Sequence, residues 1–138
     1  MADPTVQLTL PWPPSVNQYW RSVPMGRGRG VRVLISREGR AFRRDAGARR
    51  ARFRRQGPLC GRLDVRVELC APTRRALDID NRLKALLDAM QHAGVYRDDG
   101  LIARLLVEHG PETRGGQDRV EITELTPKPN QRPTQTPT

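Results

Sequence analysis

The stretch from Leu63 to Ala71 constrains the fold more than any other. Leu63, Val65, Val67, Leu69 and Ala71 alternate with Asp64, Arg66, Glu68 and Cys70. A period of two puts the two sets on opposite faces of a strand that is apolar on one side only. After a short connection the period changes. Leu83, Leu86, Leu87 and Met90 follow i, i+3, i+4, i+7, which predicts an amphipathic helix over Asp80–Ala93, with Gly94 as its stop. A half-buried strand followed by such a helix calls for a sheet with helices laid on one face.

The remaining segments fill out that layer. Val6, Leu8 and Leu10 share one face of a strand over Thr5–Leu10, which Pro11-Trp12-Pro13-Pro14 ends because proline cannot donate to a ladder. A short strand is predicted over Arg32–Ile35. Ser36 is the N-cap of a helix running to about Gln56, where Gly57-Pro58 stops it. Phe42, Ala46, Arg49 and Phe53 share one face of that helix. Two more strands are read over Leu101–Glu108 and Arg119–Leu125, with Arg114-Gly115-Gly116 as a hairpin loop. The order is ββαβαββ. The fold class is α+β, a single domain with a mixed, mostly antiparallel sheet and two main helices. The domain is expected to span 1–125, with a mobile basic loop at about 21–31. The Pro-, Thr- and Gln-rich stretch 126–138 is expected to be a disordered tail.

Composition narrows the function. With 138 residues, 36% hydrophobic and 4% aromatic, the chain has room for one modest, mostly aliphatic core. No apolar run is long enough for a membrane span. Met1-Ala2-Asp3-Pro4 does not resemble a secretory leader, and Cys60 and Cys70 form neither a metal spacing nor a disulfide framework, so a cytoplasmic, nucleoid-associated protein is expected. The net charge is +10, and 23 of the 25 cations are arginine. A GC-rich genome explains the choice of arginine over lysine but not the excess of charge. The charge is also segregated: 17 cations against 4 acids over 21–75, then 6 against 10 over 76–124. The first part suits a polyanion whose phosphates guanidinium forks bind in pairs.

The acidic part holds Asp78-Ile79-Asp80-Asn81, Lys84, Asp88 and Asp98-Asp99-Gly100. Each has a plain structural use. Asp78 or Asp80 can cap the helix, Asp80, Lys84 and Asp88 can form a surface ion ladder, and Asp99-Gly100 is a turn signal. As a group they ask for more. In an extended segment Asp78 and Asp80 point the same way, Asn81, Lys84 and Asp88 follow on one helix face, and Asp98-Asp99 precedes the next strand. Carboxylates at that density repel one another, and an all-oxygen donor set favours Mg²⁺, with Mn²⁺ as a substitute, over Zn²⁺. His92 and His109 lie outside the cluster.

These residues resemble the RusA-type Holliday junction resolvases, a family of small dimeric endodeoxyribonucleases. The resemblance covers most of 5–125. It includes Leu8-Thr9-Leu10-Pro11-Trp12-Pro13-Pro14-Ser15 with Asn17, then Arg74-Arg75, then Asp78-Ile79-Asp80-Asn81, Lys84 and Asp88, and finally Gly94, Asp98-Asp99 and Ile102. It implies catalytic roles for Asp78, Asp80, Lys84 and Asp99, with metal held by Asp78, Asp80 and Asp99 and support from Asn81, Asp88 and Asp98. Family members often carry lysine where this chain carries arginine, so the DNA contacts do not transfer singly. Arg21, Arg27, Arg29, Arg74 and Arg75 are the candidates.

The function expected from these features is Mg²⁺-dependent, structure-selective cleavage of four-way DNA junctions by a homodimer with no membrane association. Two readings compete. A non-catalytic nucleic-acid binder explains the charge but not the carboxylates beside a DNA surface. A phosphatase using Asp78-Ile79-Asp80 would need more βαβ units than this chain has. Trp12, Tyr19 and Trp20 are available either for a dimer interface or for the core.

Overall fold

Strand pairing starts from the segment with the strictest alternation. In this computed structural model the described residues are 5–52, 57–74 and 78–125. They form β1 (Thr5–Pro11), α1 (Val16–Tyr19), β2 (Trp20–Pro24), β3 (Val31–Ile35), α2 (Arg37–Arg50), β4 (Arg62–Cys70), α3 (Ile79–His92), a 3₁₀ turn (Asp99–Leu101), β5 (Ile102–His109) and β6 (Gln117–Leu125). The main sheet has the order β1-β6-β4-β5. β1 and β4 each pair antiparallel with β6, and β4 pairs parallel with β5. The sheet is therefore mixed and mostly antiparallel, as the sequence predicts. Its one parallel pair is the pair that α3 connects, because parallel neighbours need a crossover.

One face of the sheet carries the core. Leu8 and Leu10 of β1, Leu63, Val65, Val67 and Leu69 of β4, and Val120 and Ile122 of β6 are buried there against Phe42 and Ala46 of α2 and Ala85, Leu86, Ala89 and Met90 of α3. The opposite face shows the polar half of each alternation, including Gln7, Arg66 and Arg119. Tyr19 is fully buried, and Trp12 and Trp20 pack against the core, so these aromatics serve the interior of the chain.

Three expectations need correction. The stretch 21–31 is not one loop: Trp20–Pro24 is a strand paired with β3 from Trp20 opposite Ile35 to Pro24 opposite Val31, and only the turn between them is glycine-rich. Arg21 and Ser22 stand opposite Leu34 and Val33 in this ladder without an apolar alternation that would announce a strand. That hairpin is a second, two-stranded sheet rather than part of one layer. The arginine-rich helix ends at Arg50, short of Gln56. Within the helix the last buried residue is Ala46, one turn before that end. Phe53 and the rest of 53–56, like the tail 126–138, lie outside the described residues.

Candidate active site

α3 carries most of the candidate chemistry, and its first turn decides how. Asp78 is the N-cap: its carboxylate accepts the Asn81 N–H at 3.3 Å. Only Asp78 is extended. Asp80 already lies in the first helical turn, so the two carboxylates are not aligned along a strand as the sequence suggests. Asp80 is exposed and has no hydrogen bond or ion pair among the described residues, at the helix end whose free N–H groups favour negative charge. Asn81 faces inward to α1, where its Oδ1 accepts the Val16 N–H at 3.3 Å. The next residue, Arg82, donates to the Pro13 carbonyl at 2.8 Å and stands over the Trp12 ring at 5.5 Å. The proline-rich segment is thereby tied to the start of α3.

Four-residue steps put Asp80, Lys84, Asp88 and His92 on one stripe, about 6 Å apart along the axis. Lys84 is exposed. Asp88 is half-buried and held at Oδ2, which accepts from Arg43 of α2 at 2.9 Å and from the Tyr19 hydroxyl. Arg43 also donates to the Tyr19 oxygen at 2.7 Å, which closes a three-membered network joining α1, α2 and α3. Burial and Asp88 hold the Tyr19 hydroxyl well above the usual phenol range.

After α3, Gly94 at φ 81° turns the chain, with Val95 N–H bonded to the Met90 carbonyl at 3.0 Å. Asp98 then caps the 3₁₀ turn, accepting the Gly100 N–H at 2.9 Å, and the Asp99 N–H donates to Gln91 Oε1 at 3.0 Å. The Asp99 carboxyl is shifted above the ordinary carboxylate range, first by partial desolvation, then by Asp98, then by Asp88. Asp98 and Asp88 therefore both bear on Asp99. Asp80 lies about 12 Å from Asp88 along the helix axis. Among the described residues no three His, Cys, Asp or Glu side chains converge closely enough to hold a cation. In donor type the residues fit a hard divalent ion: every candidate ligand is a carboxylate, Asp80 has no partner among the described residues, and Asp99 stands among like charges that a cation would relieve.

The DNA candidates scatter. Arg21 is exposed on β2, Arg27 and Arg29 are exposed in the β2–β3 turn, and Arg74 is exposed after β4. Arg75 lies outside the described residues. Sequence reasoning missed the Tyr19–Arg43 pair around Asp88, for which no local signal exists. It also missed Asp118, which is fully buried on β6. There the alternation Asp118, Val120, Ile122 does mark an acid on the apolar face.

A mixed sheet covered by helices on one face, with a lysine and carboxylates along the crossover helix and an arginine-rich neighbour, is an arrangement suited to phosphodiester chemistry. Comparison with known proteins specifies it. The chain matches the family Endodeoxyribonuclease RusA over residues 11–123. It is 36% identical over 121 residues to the crossover junction endodeoxyribonuclease RusA of Escherichia coli K12, covering 88% of this chain and 96% of that protein. It is 37% identical over 121 residues to the Shigella sonnei protein of the same name, with the same coverage. To that of Enterobacteria phage HK97 it is 36% identical over 119 residues, covering 86% of this chain and 94% of the relative. The chain belongs to the RusA family of endodeoxyribonucleases. Among the described residues no helix is long and apolar enough to cross a membrane.

Proposed function

We propose that this endonuclease resolves four-way DNA junctions by paired, Mg²⁺-dependent phosphodiester hydrolysis in recombination and repair. The observation that carries the reading is the stripe Asp80, Lys84, Asp88 on α3, with Asp98-Asp99 following that helix, in a chain of this family. Asp78, Asp80 and Asp99 are the residues that would hold the ion. When bound, it lowers the pKa of a water and neutralises charge at the leaving oxygen. The chain's own groups do the rest. Lys84 places an ammonium where charge develops on the phosphate. Asn81 fixes the first turn of α3 against α1, and Arg43 with Tyr19 holds Asp88. Products with 5′ phosphate and 3′ hydroxyl follow from the family resemblance.

A junction must be cut on two strands of like polarity, and a two-fold homodimer offers two sites at fixed separation. The apolar surface of the hairpin supports a second copy: Val31 is 63% and Val33 62% exposed. Light scattering is expected to give twice the 15.6 kDa chain mass. The deciding experiment incubates the protein with a synthetic immobile junction and with matched linear duplex, with and without Mg²⁺. Junction-selective cleavage only with the metal is expected. Binding with no cleavage under any metal would identify a non-catalytic binder instead.

A further inference from the structure

Beside the site, α2 and the end of α3 border an open groove of about 720 Å³, lined by Arg37, Arg40, Arg43, Arg44 and His92. No acid lines it, although α2 also carries Glu38 and Asp45. The helix buries Gly39, Phe42 and Ala46, which leaves Arg37, Arg40 and Arg44 at i, i+3 and i+7 on the opposite, exposed side. Arg43 is committed to Asp88 and Tyr19 and braces the groove wall. Arg40 is steadied by one bond to the Ile35 carbonyl at 3.1 Å, and Arg37 and Arg44 have no acidic partner among the described residues. Charges held together without counter-ions repel, and an anion relieves that cost.

The dimensions favour one kind of anion. Arg37 to Arg44 spans about 10 Å of helix. A DNA strand rises about 3.4 Å per phosphate along the duplex axis, so that length of helix runs beside about three phosphate steps, enough for each guanidinium to meet a charge. His92 joins this groove to the stripe that carries Lys84 and Asp80, about 18 Å from Asp80 along α3. The groove and the candidate active site thus share α3, the groove at its C-terminal end.

We infer that Arg37, Arg40 and Arg44 form a phosphate track that holds a DNA arm next to the cleavage site. This rests on the endonuclease reading above and adds a site outside the hairpin and the Arg74-Arg75 segment. The track is sequence-blind, because phosphate contacts position a duplex without reading its bases.

The test uses the full chain with all three arginines changed, R37Q/R40Q/R44Q. Glutamine preserves helix propensity, and all three side chains are exposed. A control, R62Q/R66Q/R104Q, removes the same charge from exposed positions on β4 and β5. Junction binding is measured by fluorescence anisotropy in EDTA across a salt series, and cleavage separately in Mg²⁺. The α2 variant is expected to lose on the order of tenfold or more in affinity at low salt. Its log–log salt slope should become shallower by about 0.9 for each phosphate it no longer neutralises, while the control keeps both. An α2 variant with the wild-type slope, or a control that loses as much, overturns the track and leaves the endonuclease reading standing. A wild-type protein that neither binds nor cleaves the junction overturns that reading itself.

Discussion

Arg43 and Asp88 meet at 2.9 Å across the α2–α3 contact, with the Tyr19 hydroxyl bonded to both. The pair is partly screened from water, with the Arg43 side chain 21% and that of Asp88 36% exposed. Charge-assisted bonds at such sites contribute about 1.5–3 kcal/mol, and their removal leaves the other members unsatisfied. Arg43→Ala is expected to lower the thermal midpoint by several degrees. Arg43→Met combined with Asp88→Leu should recover part of that loss, because no lone charge remains. Calorimetry on the wild type, Arg43→Ala, Asp88→Leu and the double variant checks it. A double variant no better than the worse single one would show that the network is not the source of the stability.

The unpaired acid and the exposed cation of α3 separate chemistry from binding. Asp80→Asn keeps shape but removes a ligand charge, and cleavage should fall by orders of magnitude while junction binding holds or tightens. Lys84→Ala should lower turnover far more than affinity, the mark of an interaction made in the transition state. Single-turnover rates at saturating protein, with parallel binding curves, distinguish these outcomes. Equal losses in duplex and junction binding with normal turnover would reduce Lys84 to a phosphate contact.

What could be read from the sequence was whatever a local period or spacing encodes. β4 and α3 fall within one residue of their expected bounds, since each is a sustained apolar pattern on a half-buried element. β2 escaped notice because only the Trp20–Ile35 end of the hairpin packs on the core and the rest is largely exposed, which needs no alternation. The short helix α1 did leave a signal: Ser15 and Gln18 form a reciprocal capping box. At the site, spacing alone identified the stripe on α3. It could not show that one oxygen of Asp78 caps the helix or that Asp88 pairs with Arg43, because the first depends on where the chain bends and the second on a partner distant in sequence.

Two glycines of α2 should respond in opposite directions to the same substitution. A Cβ on Gly39 would collide with the Tyr19 carbonyl oxygen and come within 2.9 Å of the Ile35 side chain. That carbonyl cannot withdraw freely, since it accepts the Ser36 N–H at 2.9 Å. Gly39→Ala is therefore expected to cost about 1–3 kcal/mol despite the better helix propensity of alanine. At Gly47 nothing lies within 4 Å, and Gly47→Ala should stabilise by up to about 1 kcal/mol. Denaturant unfolding of both variants checks the pair, and a loss at Gly47 would contradict the open space there.

Asp118 gives the fold a pH dependence of its own. On β6 it lies between Leu10 of β1 and Leu69 of β4, fully buried, and neither carboxylate oxygen has a hydrogen-bond partner among the described residues. Desolvation pushes its pKa up to about 8, only partly offset by the charge of Arg82, whose guanidinium is engaged with Pro13 and Trp12. The native state therefore keeps a proton that the unfolded chain gives up at an ordinary carboxylate pKa. Where the native state binds the extra proton, stability falls as pH rises. The contribution is complete below about pH 4 and is lost through about pH 8, at a slope of at most about 1.4 kcal/mol per unit. Asp118→Asn stays neutral throughout. The difference in thermal midpoint between Asp118→Asn and the wild type should accordingly move in the variant's favour from pH 5 to pH 8 and level off above. Paired melts across that range measure it, and a difference that does not change with pH would mean that Asp118 is ionised in the native state throughout.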